Sequence, residues 1–306
     1  MKKTKKEVSA NLVEKLWNVF LTRVSYARIY KDMIIRRGGN VVIDHLGFRS
    51  LNCHTGEQPG GIHGVKHIFE SLGFSVARKY TFPGRKLNAV HLEMPQSGLP
   101  KIFISQLEVL QLPLWCRHSI NETVVNSSYL LSDNGIELLN KLKTDGLLTC
   151  EGATVLLDEL VDCFRCPWDP PEKDDVIKIN EVNHYAAWVL LHGNAPSHYG
   201  VLINEQNARG WPDIKTISSA MQQAGIPMKQ RIAGSVNSNL EQSATLAVKE
   251  EVVVKDEGMY GLLPWTYGYL ELIRRSHDTE DKNALFGNFL EAHERQLYQM
   301  TVTLDN

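Results

Sequence analysis

The stretch VVIDHLGFRSLN, residues 41–52, decides how the rest of the chain is read. Val41, Val42, Ile43, Leu46 and Phe48 mark a buried strand, yet it also carries His45 and, four residues later, Arg49. Side chains alternate along a strand, so His45, Gly47 and Arg49 share one face, while Asp44, Leu46 and Phe48 share the other. Four strand residues span about 13 Å, and two long side chains leaning together narrow that to the length of a small dicarboxylic acid. Such a pair can hold a metal at one end of a ligand and clamp a carboxylate at the other, with the planar fork of Arg49 as the clamp. The competing reading is a core histidine satisfied by its neighbours and an arginine paired at a sheet edge.

Around this strand the pattern is β-α-β-β-β. Leu12, Leu16, Val19, Phe20, Val24 and Ala27 recur at helical spacing and predict one or two amphipathic helices over 9–36, ended by Gly38, Gly39 and Asn40. After the strand at 41–51, IHGVKHIFESL reads as a helix over 62–72 stopped by Gly73. SVARKYTFP, LNAVHLEMP and KIFISQLEVLQL follow as strands, divided by Pro83-Gly84 and by Ser97 to Pro100. Residues 121–166 turn helical, with a polar, Pro-rich connector at 167–178.

The order of elements then returns. EVNHYAAWVLL, 181–191, reads as a strand carrying His184, and DIKTISSAMQQA, 213–224, as a helix. KQRIAGSV, SATLAVKEEVVVK and LPWTYGYLELIRR follow as strands, and a final helix is expected over roughly 283–300. This predicts an α+β fold of two β-α-β-β-β modules, each a curved half-closed sheet. The expected divisions are 1–120 (helices and first module), 121–180 (helical insert and connector) and 181–306 (second module and last helix).

In LPWTYGYLELIRR, Glu271 shares a face with Tyr267, Tyr269 and Ile273, which is too apolar for a plainly solvated edge. A buried carboxylate there needs a cation. Two histidines and one carboxylate from separate strands make the set that holds Fe(II) with open positions. His45, His184 and Glu271 are therefore the candidate metal ligands. Neutral imidazoles and one carboxylate leave residual positive charge, which favours an anionic substrate.

Rival motifs carry less. HGVKH, 63–67, has Gly64 where the metalloprotease motif needs Glu. Cys163 and Cys166 form a lone C-x-x-C, without the second pair a structural zinc site requires. PGGIHG lacks the ending of a phosphate loop. His91, Glu93 and Glu108 stand as candidate further ligands.

Composition sets the outer bounds. Of 306 residues, 43% are apolar and 22% charged, with a net charge of −2, so no basic field argues for nucleic acid or a membrane surface. No apolar run reaches the length of a membrane span. MKKTKKEVSA is basic like a leader, but the amphipathic NLVEKLWNVF follows it, so no secretory signal is expected. Five scattered cysteines read as reduced thiols of a cytoplasmic protein.

DHLGFRSLN resembles the signature of the 2-oxoadipate dioxygenase/decarboxylase family, distant kin of the vicinal-oxygen-chelate superfamily. VNHYAAW resembles its second histidine strand, and LPWTYGYLELIRR with LFGNFLEAHERQ resembles its terminal glutamate strand and the helix after it. The resemblance implies Fe(II) on His45, His184 and Glu271, with Arg49 on the substrate. It also implies a reaction of a small 2-oxo acid with O2 that releases CO2 and hydroxylates the remaining chain. For 2-oxoadipate the product is 2-hydroxyglutarate, an intermediate of lysine breakdown. The helical insert matches no motif of the family. Two alternatives stay open: a redox-silent isomerase or lyase using the same ligands, and a module that only binds a ligand.

Overall fold

The computed structural model describes residues 1–57, 59–230, 232–234, 239–277 and 285–289. A short strand β1 (Lys2–Thr4) precedes helices α1 (Lys5–Arg23) and α2 (Ser25–Arg36), and Gly38, at φ +74°, ends the second. The first module then forms as its sequence predicts: β2 (Ile43–Leu51), α3 (Ile62–Ser71), β3 (Ser75–Phe82), β4 (Leu87–Glu93) and β5 (Lys101–Leu107).

The helical insert is longer than predicted at both ends. It runs through α4 (Leu114–Val124), α5 (Asp133–Asp145), the short β6 (Leu147–Thr149), α6 (Cys150–Asp162), α7 (Lys173–Val182) and α8 (His184–His192). The strand expected at 181–191 is thus helical. Asn183 caps α8 by accepting the Ala186 amide at 3.0 Å, and every residue from Tyr185 to His192 is buried. A helix buried on all sides shows no polar period, so its apolar run imitates a strand.

The second module opens one segment later. Its elements are β7 (Pro196–Leu202), α9 (Ile214–Gln223), β8 (Leu240–Ala244), β9 (Lys249–Asp256), β10 (Met259–Thr266) and β11 (Tyr269–Arg275). β9 and β10 pair as a separate two-stranded sheet. Among the described residues of KQRIAGSV, 229–236, Ala233 bridges Gln242, and Met228 just before the run bridges Thr245. The helix expected at 283–300 lies mostly outside the described residues; within 285–289, Leu285 bridges His277.

The chain divides into two compact units. One comprises 1–19, 48–196 and 251–265; the other 20–47, 197–250 and 266–306. In the first, β3, β4, β5 and the part of β2 from Phe48 onward form consecutive strands, with α3 against β4 and β5. Phe48, Phe69 and Phe164 form a ring cluster there, with centroids 5.3–5.8 Å apart.

In the second unit the order is β8, β11, β7 and the part of β2 up to Gly47. β11 runs parallel to β7 and antiparallel to β8, with Glu271 opposite Gly200 on one side and Ala244 on the other. α2 lies against β11, and Ala27, Tyr30 and Ile34 of the helix and Leu270 and Leu272 of the strand are fully buried. Each large apolar side chain so buried contributes roughly 1.5–3 kcal/mol. The strands beneath the site are therefore anchored from behind by apolar packing.

Candidate metal centre

Three strands of the second unit bring His45 (β2), His198 (β7) and Glu271 (β11) together. One ligand atom from each lies within 4.8 Å of the others, and all three residues are buried. His45 Nε2 is 3.4 Å from a Glu271 carboxylate oxygen. Among the described residues, the other Glu271 oxygen, Oε1, is buried without a hydrogen-bond partner. A buried, unsatisfied carboxylate oxygen costs free energy unless a cation meets it.

Two glycines make room for the rings. A methyl group at Gly200 would overlap the His45 ring, and one at Gly47 would overlap the His198 ring. Each histidine strand therefore reads His-x-Gly, and the glycine of each receives the other's imidazole. Gly200→Ala is expected to displace His45, lowering stability by about 1–3 kcal/mol as overpacked sites do and weakening metal binding at least tenfold. Metal titration of the variant checks this; wild-type affinity would show that the ring has other room.

Both imidazoles are held by the residue before them. His45 Nδ1 lies 2.8 Å from an Asp44 oxygen, and His198 Nδ1 lies 3.0 Å from the Ser197 hydroxyl, which itself donates to the Gly47 carbonyl. With Nδ1–H donated in each case, Nε2 is left as a metal-ligating lone pair. Asp44 is gripped by Arg275 through two hydrogen bonds of 2.6 and 2.9 Å, and Arg275 also donates to the carbonyls of Phe286 and Asn288. Tyr269 stacks on His198 at 5.0 Å and the Phe289 ring meets His45 edge-on at 4.9 Å.

The electrostatics are those of a cation site. Burial works against ionised Asp44, but Arg275 and His45 hold its carboxyl far below the usual range. Burial also disfavours a charged His45, yet Asp44 and Glu271 carry its pKa upward. At Glu271, burial is outweighed by His198, His45 and Lys229, which depress its pKa. A divalent ion substitutes for the protons that these groups would otherwise share. The donor set, the unsatisfied Oε1 and the two glycine recesses all fit a metal.

The structure thus gathers two of the three predicted ligands. His184 is not among them: it begins α8, in the other compact unit, and His198 completes the set. The signal for His198 was present in the sequence, because DHLGF and SHYGV share His-x-Gly after a short polar residue. Arg49, on β2, is buried, with its guanidinium 4.9 Å from the Trp188 ring and 5.2 Å from the Tyr185 ring. The other candidates are engaged elsewhere. His91 sits between Tyr80 and Glu93, and Glu108 accepts from Asn52, Asn88 and Gln106. His67 lies between the His63 carbonyl and the Tyr129 hydroxyl. Burial pushes the thiols of Cys163 and Cys166 up to about 12.

The sequence model of the 2-oxoadipate dioxygenase/decarboxylase family matches residues 22–303, most of the chain, including His45, His198 and Glu271. The chain belongs to that family. A chloroplastic 2-oxoadipate dioxygenase/decarboxylase of Arabidopsis thaliana is 23% identical over 271 residues, which are 84% of this chain and 65% of the relative. A chloroplastic/amyloplastic one of Oryza sativa is 23% identical over 61% of this chain and 47% of its own length. The chain therefore spans roughly half to two thirds of these curated relatives. Among solved structures, a protein of Ralstonia eutropha JMP134 assigned to the glyoxalase superfamily matches with a TM-score of 0.86 at 23% identity, covering 94% of this chain and 87% of that one. A hydroxyglutarate synthase of Oryza sativa, solved with 2-oxoadipate, matches at 0.77 and 17% identity, covering 98% and 93%. The fold is thus the predicted α+β, glyoxalase-like one. Among the described residues, no helix is long and apolar enough to cross a membrane.

Proposed function

We propose that this family member is an Fe(II)-dependent dioxygenase and decarboxylase of a small 2-oxo dicarboxylic acid. The best candidate reaction takes 2-oxoadipate and O2 to 2-hydroxyglutarate and CO2. The observation that carries this reading is the buried set of two histidines and one carboxylate, a donor set suited to non-haem iron with open positions. Bound Fe(II) supplies the reduction of O2 and the polarisation of an α-keto acid.

The chain's own residues do the rest. His45 and His198 present Nε2, each donating its Nδ1–H to the Asp44 carboxylate or the Ser197 hydroxyl oxygen. Glu271 provides the single negative charge, leaving the loaded centre positive and receptive to an anion. Burial of all three excludes bulk water and so strengthens every charge interaction with a bound acid. Arg49 is assigned to the far carboxylate of the substrate, its guanidinium kept in place beside two aromatic rings.

Oxygen uptake by the iron-loaded protein, measured against a panel of 2-oxo acids, tests the reading. Uptake with 2-oxoadipate, matched by equal 2-hydroxyglutarate and CO2, is the expected result. In the same assay Arg49→Ala should keep its iron and raise KM for dicarboxylates by roughly tenfold or more, as loss of a charge-assisted fork does. A metal-loaded protein that consumes no oxygen with any 2-oxo acid would favour a redox-silent isomerase or lyase instead.

A further inference from the structure

Lys229 stands in the same cross-strand row as Glu271. The Lys229 amide donates to the Ala244 carbonyl and the Leu246 amide to the Pro227 carbonyl, both at 2.8 Å, while Met228 bridges Thr245 in antiparallel sense. Residues 227–229 therefore run along the edge of β8 with Lys229 opposite Ala244. Ala244 is opposite Glu271, and Glu271 is opposite Gly200. Directly opposed residues on neighbouring strands point to one face. The row reads Lys229, Ala244, Glu271, Gly200, so only the methyl group of a fully buried alanine separates the two charged positions.

Lys229 is half-buried. Burial draws its pKa down to about 8, with Glu271 acting in the opposite sense, so the ammonium stays mostly charged at neutral pH.

A lysine beside a metal ligand has an electrostatic consequence. The imidazoles are neutral when they ligate, and Asp44 is cancelled by Arg275. A divalent ion less the Glu271 charge leaves one positive charge, and the Lys229 ammonium lies in the same cross-strand row. Two like charges in a low-dielectric setting repel until an anion joins them. Lys229 therefore disfavours the loaded but substrate-free centre and favours the same centre with a carboxylate in it.

With a 2-oxo acid at the centre, as proposed above, we infer that Lys229 is a substrate-binding residue. Its ammonium donates to the carboxylate adjoining the keto group, through an oxygen that the metal leaves available. Recognition of the near carboxylate is then the part played by Lys229.

The test uses full-length protein loaded with Zn(II), which has no redox chemistry, and calorimetric titration with pyruvate and with 2-oxoadipate. Lys229→Met should weaken both acids alike, by roughly tenfold to a hundredfold, the range for losing a hydrogen bond to a charged group, and should retain zinc at least as tightly as wild type. Lys229→Arg should recover most of the affinity. Unchanged affinity in Lys229→Met, where wild type binds, overturns the assignment. So does loss of 2-oxoadipate alone, which would place Lys229 at the far carboxylate, or loss of zinc, which would make it a support for Glu271. If wild type itself binds neither acid, the 2-oxo acid reading falls together with this one.

Discussion

Glu271→Ala is expected to leave the protein unable to retain a metal through dialysis. The substitution removes the only negative charge among the three ligands, and leaves two imidazoles in a buried recess with nothing to balance an ion. Losing an outer partner of a ligand typically costs tenfold to a hundredfold in metal affinity; loss of the ligand itself should exceed about a hundredfold. The fold should tolerate the change, because Leu270 and Leu272, which face the packed side of β11, are untouched. Metal content per chain, measured beside a thermal melt, separates the two effects. Stoichiometric metal retained by a folded Glu271→Ala protein would remove the centre from consideration.

Asp44→Ala is expected to cost more stability than any single ligand replacement. Asp44 and Arg275 are both almost wholly buried, and Arg275 ties Asp44 to the carbonyls of Phe286 and Asn288. Taking away one partner of a buried pair strands the other charge, typically at about 3–5 kcal/mol. The same change frees the His45 ring to turn, so metal affinity should fall as well. The double variant Asp44→Ala/Arg275→Met should recover much of the stability and none of the metal affinity, since only the stranded charge is relieved. Denaturant unfolding of the two variants decides: equal stability in both would show that the ion pair is not the source of the loss. The pH dependence has a definite sign. Asp44's folded pKa is depressed, so the pair's contribution is fully present above the unfolded carboxylate range, near 3.9. It is lost as pH falls below that range in wild type, and is missing at every pH in Asp44→Ala.

The two outer-shell devices explain why the short polar residue before each histidine matters. Asp44 and Ser197 each fix a ring through Nδ1, but only Asp44 carries charge and an arginine behind it. His45 is therefore the better anchored and more electron-rich of the two imidazoles, and Ser197 reaches the Gly47 carbonyl on the His45 strand. One hydrogen bond, from the Ser197 hydroxyl to the Gly47 carbonyl, thus links the two histidine strands.

Much of this was written locally. The apolar residues Ile43, Leu46, Phe48 and Leu51 specify a strand, glycines stop α2 and α3 where the chain needs positive φ, and the odd placement of His45 and Glu271 within apolar strands marks them as polar groups needing a partner. These features depend on residue type and on neighbours one to four positions away, so they can be read from the chain in isolation. What the tertiary structure alone decided is the second histidine. VNHYAAWVLL and PSHYGVL both offer a histidine in an apolar run, and burial erases the period that tells a helix from a strand. Only packing shows that the first run is a helix enclosed on every side, and only strand pairing sets His198 over Gly47, His45 over Gly200, and Lys229 one alanine away from Glu271. Register is a relation between distant segments, fixed by the free energy of burying their shared face, and no local stretch of sequence contains it.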